Sequence, residues 1–86
     1  MPEISRFQGL SIHFYSNDHN PPHFHVKYNE FDAQICIESF RILHGELPPK
    51  AMGLIMEWAA LHKSELLENW NKMKRGEQWN KIEPLK

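Results

Sequence analysis

The feature that most constrains this chain is a change of hydrophobic period near Gly45. Ahead of it, apolar residues recur at every second position; behind it, at every third or fourth. A period of 2 sends alternate side chains to opposite faces of a strand, whereas 3.6 lines one stripe of a helix. Over Leu10–Tyr15, Leu10, Ile12 and Phe14 alternate with Ser11, His13 and Tyr15. Over His23–Tyr28, Phe24, Val26 and Tyr28 alternate with His23, His25 and Lys27. Over Phe31–Glu38, Phe31, Ala33, Ile35 and Ile37 alternate with Asp32, Gln34, Cys36 and Glu38. Shorter strands are expected at Glu3–Phe7 and Arg41–Leu43.

Pro48-Pro49 suits a first helical turn, where a missing N–H leaves no bond unmade. Ala51, Leu54, Ile55, Trp58, Leu61, His62, Leu66, Trp70 and Met73 then form one apolar-rich stripe. The chain is therefore predicted to be an α+β domain. An antiparallel sheet of four to five strands comes from the N-terminal half and is covered on one face by a C-terminal helix or helices. Strands fill residues 1–44, helix 48–75, and an extended tail 76–86 docks Ile82 and Leu85 on the core. An unbroken helix over 48–75 would be about 42 Å long, more than a domain of this size usually holds, so one helix and two helices with a bend near Lys63-Ser64 both stay open. With 86 residues the chain forms one domain. Such a chain buries only roughly 60–65% of its unfolded surface, which makes a homodimer the default expectation.

The hairpin after His23 can be registered from its pattern. With Asn29-Glu30 at the turn, Tyr28 meets Phe31, Lys27 meets Asp32 and Val26 meets Ala33. His25 then meets Gln34, Phe24 meets Ile35 and His23 meets Cys36. Every rung joins like face to like face, and a slip of one residue would turn every side chain over.

His23 and His25, two apart on a strand, share the polar face, and His13 joins them if its strand pairs across the Ser16–Pro22 loop. Asp18 and His19 lie in that loop. Three imidazoles on one open surface beside a carboxylate supply donors for zinc or a related divalent transition metal, with His13, His23, His25 and Asp18 as candidate ligands. The same groups suit general acid–base chemistry on a phosphodiester, with His23, His25, His19 and Asp18 as catalytic candidates and Tyr15 or Lys27 stabilising charge. The plain alternative is a hydrogen-bonding polar face. Cys36 beside His23 admits a thiolate–imidazole pair, set against an ordinary strand cysteine. His62 and Glu65, one helical turn apart, read as a surface pair, and Trp58 and Trp70 as packing.

Composition narrows the classes. A net charge of −1 gives no global field for nucleic acid, although residues 70–86 carry +3, mostly as a solvated helix end. A single cysteine excludes an internal disulfide and a cysteine-only zinc site. No apolar segment follows Met1 and none approaches a membrane span, so a cytoplasmic protein without a membrane partner is expected. No phosphate loop or nucleophile elbow is present.

Several stretches resemble the small bacterial family known as domain of unknown function 4160. They are Met1–Phe7, Asn17–His25 (Asn-Asp-His-Asn-Pro-Pro-His-Phe-His), Gly45–Pro49, Glu57–His62, Glu65–Trp70 and Lys81–Leu85. The resemblance brings no catalytic set and carries over Asp18, His19, His23 and His25 as characteristic positions. It also implies a setting similar to a toxin–antitoxin pair. The expectation is a binding or regulatory component of such a pair that meets a small cognate protein or RNA through its histidine-rich face. The alternative is a small histidine-dependent ribonuclease or metal-dependent hydrolase.

Overall fold

The computed structural model describes residues 3–15 and 18–85. Met1, Pro2, Ser16, Asn17 and Lys86 lie outside them, and with these the beginning of the Ser16–Pro22 loop and the last residue of the tail. The strands are β1 (Glu3–Phe7), β2 (Leu10–His13), β3 (His23–Tyr28), β4 (Phe31–Cys36) and β5 (Ile42–Glu46), followed by α1 (Pro49–Leu61) and α2 (Lys63–Lys74). The strands form an antiparallel meander in the order β1-β2-β3-β4-β5.

Turn chemistry explains the tight links. Gln8 and Gly9 both take positive φ, 46° and 83°, a sign combination that matches the twist of the strands they join. Asn29 turns the next hairpin at φ 54°, a conformation its short polar side chain tolerates. The β3–β4 register is the one expected from alternation, rung for rung from His23↔Cys36 to Tyr28↔Phe31. On the other side of β3, His13 pairs with His25 and Ile12 with Val26.

The apolar face closes as its pattern requires: Leu10, Ile12, Phe14, Phe24, Val26 and Ile35 are wholly buried. Ala51, Ile55, Trp58 and Ala59 of α1 and Leu66 and Trp70 of α2 join them in one core. The Trp58 ring sits 5.7 Å from Phe7 and 6.0 Å from Phe24. The helical region is two helices. His62, at φ −121° and ψ 23°, breaks the run one residue before Lys63-Ser64, and its N–H still closes on the Trp58 and Ala59 carbonyls. The tail docks: Ile82 is buried and donates to the Ile4 carbonyl at 3.0 Å, and Trp58 Nε1 donates to the Glu83 carbonyl at 2.9 Å. The Asn69 side chain bonds the backbone of Asn80 at both of its polar atoms.

β5 is an edge strand, exposed throughout. It carries an irregularity in its pairing with β4: Ile35 faces Ile42, but Gln34 faces His44, so Leu43 is the extra residue. Gly45 follows at φ +79° and lies against the β4 backbone. Among the described residues, no helix is long and apolar enough to cross a membrane.

Candidate metal centre

Three donors converge at the start of β3. Asp18, His23 and His25 each offer one ligand atom, and these atoms lie within 4.8 Å of one another. The pairing follows from the chain: His23 and His25 are i and i+2 on one strand, their rings 5.2 Å apart. Asp18 arrives from the preceding loop. Its N–H donates to the Tyr15 carbonyl at 3.0 Å and its carboxylate accepts the Tyr15 N–H at 3.2 Å, which ties Asp18 to the end of the β2 segment. From α2, Lys74 Nζ donates to the Asp18 carbonyl and lies 4.9 Å over the Trp70 ring.

The orientation of the imidazoles is informative. His23 Nδ1–H donates to the Pro21 carbonyl at 2.8 Å, so the neutral ring turns its Nε2 lone pair to Asp18 Oδ1, 3.6 Å away. Two acceptors thus face each other, an arrangement relieved by a proton or a cation between them. A backbone carbonyl on the far nitrogen is also the usual support of a metal-binding histidine. His25 Nε2 lies 3.0 Å from Asp18 Oδ2 and 3.2 Å from Oδ1, donating as a neutral ring. Burial lowers the His25 pKa and outweighs the Asp18 carboxylate, which pulls the other way. Around a tetrahedral ion with bonds of 2.0–2.1 Å, ligand atoms stand about 3.3–3.4 Å apart. The two carboxylate–imidazole separations bracket that value.

His13 is placed on the same face, directly opposite His25, but is engaged elsewhere. Ser11 Oγ donates to Glu3 Oε2 at 2.8 Å and accepts from His13 Nε2–H at 2.7 Å. The His13 Nδ1 is then a bare acceptor, buried and without a partner among the described residues. Burial lowers the His13 pKa, whereas hydrogen bonds from Arg6 and then Ser11 hold the Glu3 carboxyl below its ordinary range. His19 is exposed beside the triad and outside it.

The polar face is less open than expected. His13 and His23 are buried, and the His25 side chain is only 17% exposed. The cause is tertiary: the Tyr15 ring stands edge-on 4.2 Å from His25, and Trp70 of α2 covers His23 at 5.4 Å while meeting Phe14 on the core side at 5.9 Å. Cys36 is free, buried and across from His23. Burial pushes its thiol up, but donors at Ser39 and Glu38 outweigh that and leave it lowered. His62 Nδ1 and Glu65 Oε1, 2.6 Å apart, form a partly exposed pair where α1 meets α2.

A cavity of about 510 Å³ opens beside the triad. Asp18 and His23 line it, with His19, Gln34, Leu43 and His44. Gln34 and His44 are site residues that no motif marks. The pairing rule could have reached Gln34 through His25, but the extra residue in β5 hides His44.

A family model described as domain of unknown function (DUF4160) matches residues 9–71. No curated protein and no solved structure matched the chain.

Proposed function

Starting from the premise that the chain belongs to the DUF4160 family, we propose that it is a small metal-dependent hydrolase whose Asp18, His23 and His25 hold one divalent transition-metal ion of the zinc kind. The observation that carries this reading is the convergence of one carboxylate and two imidazoles within 4.8 Å, with His23 already oriented by the Pro21 carbonyl. Three protein ligands leave coordination positions free, as catalytic rather than structural zinc sites do. An ion held there would supply Lewis acidity and lower the pKa of a water enough for it to act as nucleophile near neutral pH. The chain supplies the rest: Lys74 and Tyr15 fix Asp18, Trp70 and Tyr15 keep bulk water from the imidazoles, and the cavity admits substrate.

The test is a zinc titration of chelator-treated protein followed by calorimetry. One zinc per chain is expected for the parent, and none for His23→Ala or His25→Ala judged folded by circular dichroism. Equal uptake by the parent and both variants, or no uptake by the parent, refutes the reading.

A second reading is favoured by one observation, the exposed edge of β5 with Ile42 41% and Leu43 38% accessible. An unpaired edge can accept a strand from another chain. On this reading the protein is the binding component of a toxin–antitoxin-like pair and takes a small cognate protein at β5. Members of the family it resembles are often encoded beside another small domain; co-purification with the product of such a neighbouring gene that is lost in Leu43→Asp supports this reading, and co-purification unchanged in that variant removes the β5 edge from it.

A further inference from the structure

Cross-strand pairing aligns one polar-face residue from each of four strands: His13 opposite His25, His25 opposite Gln34, and Gln34 opposite His44. Neighbouring strands lie about 4.8 Å apart, so the backbone of His44 stands roughly 10 Å from that of His25. Beside this row opens the cavity, lined by Gln34 and His44 of the row together with Asp18 and His23.

The irregular step in β5 puts His44 there. Continued without the extra residue, the Ile35↔Ile42 pairing would set Leu43 opposite Gln34. The bulge replaces that leucine by a histidine in the row. Bulges beside functional sites commonly re-aim a side chain in this way.

Charge and donor chemistry say what fits the space. Among the described residues, Asp18 is the only carboxylate lining the cavity, and it belongs to the metal triad. One carboxylate, two neutral imidazoles and a divalent ion leave a centre of net positive charge. The other polar side chains around it, His19, Asn20, Gln34 and His44, can all donate N–H bonds and include no acid. Such a site selects an anion. With an ion on the triad, the Gln34 amide and the His44 imidazole would make three partners around one cavity. A tetrahedral oxyanion meets three such partners with three oxygens, whereas a planar carboxylate has two. The volume, well within the range of ligand pockets, leaves room for an organic group beyond the oxyanion.

We infer that this cavity binds a phosphoryl group, with one oxygen on the metal and the others on Gln34 and His44, so that the substrate is a phosphate ester. The inference rests on the metal reading above and adds His44 as a substrate-contacting residue contributed by the sheet edge.

The test uses the full chain loaded with zinc, freed of excess metal and titrated calorimetrically with inorganic phosphate, and in parallel with acetate. Saturable phosphate binding is expected, at least tenfold tighter than acetate. His44→Ala and His44→Gln should each weaken phosphate at least tenfold while zinc uptake stays that of the parent; His44 is exposed, so neither change threatens the core. Phosphate binding unchanged in both variants, or acetate binding as tight as phosphate, overturns the inference. Zinc uptake without phosphate binding overturns it alone, whereas failure to take up zinc removes it together with the metal reading.

Discussion

Gly45 and Gly53 look alike in the sequence and should respond in opposite directions to the same change. An alanine Cβ at Gly45 would lie 2.2 Å from the Asp32 carbonyl oxygen and 3.0 Å from the Ala33 Cα, at φ +79°. The left-handed conformation alone costs an alanine about 1–2 kcal/mol. The backbone oxygen cannot rotate away, so β5 must lift from β4 near Ala33↔Gly45 and Asp32↔Glu46. Each ladder bond lost there costs about 0.5–1.5 kcal/mol. With one bond lost at each of these two rungs, the total is a loss of about 2–5 kcal/mol for Gly45→Ala, or roughly 10–30 °C in Tm for a domain of this size. At Gly53, mid-helix in α1, an added Cβ meets nothing within 4 Å. There Gly53→Ala should stabilise by about 0.5–1 kcal/mol through helix propensity. Urea unfolding of both variants, with slopes compared to the parent, measures the two numbers. A Gly45→Ala variant within 0.5 kcal/mol of the parent would refute the argument that this glycine is required by the approach of β5 to β4.

Other outcomes follow from single contacts. Trp58→Phe keeps a ring among Phe7 and Phe24 but leaves the Glu83 carbonyl without its donor. It should cost about 1–3 kcal/mol and speed proteolysis of the tail, and limited digestion that matches the parent would contradict this. Asn69→Ala removes both side-chain bonds to the Asn80 backbone at a largely buried position and should cost about 1–3 kcal/mol by thermal melting. The His13 pKa is lowered on folding from its ordinary 6.5, so the unfolded chain binds more protons as pH falls through that value. Stability contributed by neutral His13 is therefore present above about pH 6.5 and lost below it. Protonation would also place a donor on the Nδ1, which has no partner among the described residues. Tm measured from pH 8 to 5 should fall less steeply in His13→Gln, and identical slopes would exclude His13 as a source of the loss.

What the sequence determined by itself is the sheet and its central register. Side chains alternate with period 2, and one face must be apolar to hold a core. With the turn placed at Asn29-Glu30, the pairing of Phe24, Val26 and Tyr28 with β4 joins like faces at every rung, and alternation carries His13, His23 and His25 to one face. The helical stripe was legible for the same reason, but whether it forms one helix or two was decided only by the structure, at His62. Tertiary structure decided what the periodicities cannot see. Loop conformation brings Asp18, rather than His19, to the two imidazoles, because Asp18 is tied to Tyr15 and is held by Lys74 from α2. A side-chain bond to Ser11, itself tied to Glu3, keeps His13 out of the triad. Trp70, spaced as a core residue, reaches past Phe14 to cover His23 and closes a face that alternation alone leaves open. His44 enters the row only through an extra residue in β5. Periodicity reports which neighbours along the chain share a face; loop closure, an edge bulge and a helix laid across the sheet are set by contacts between residues distant in sequence.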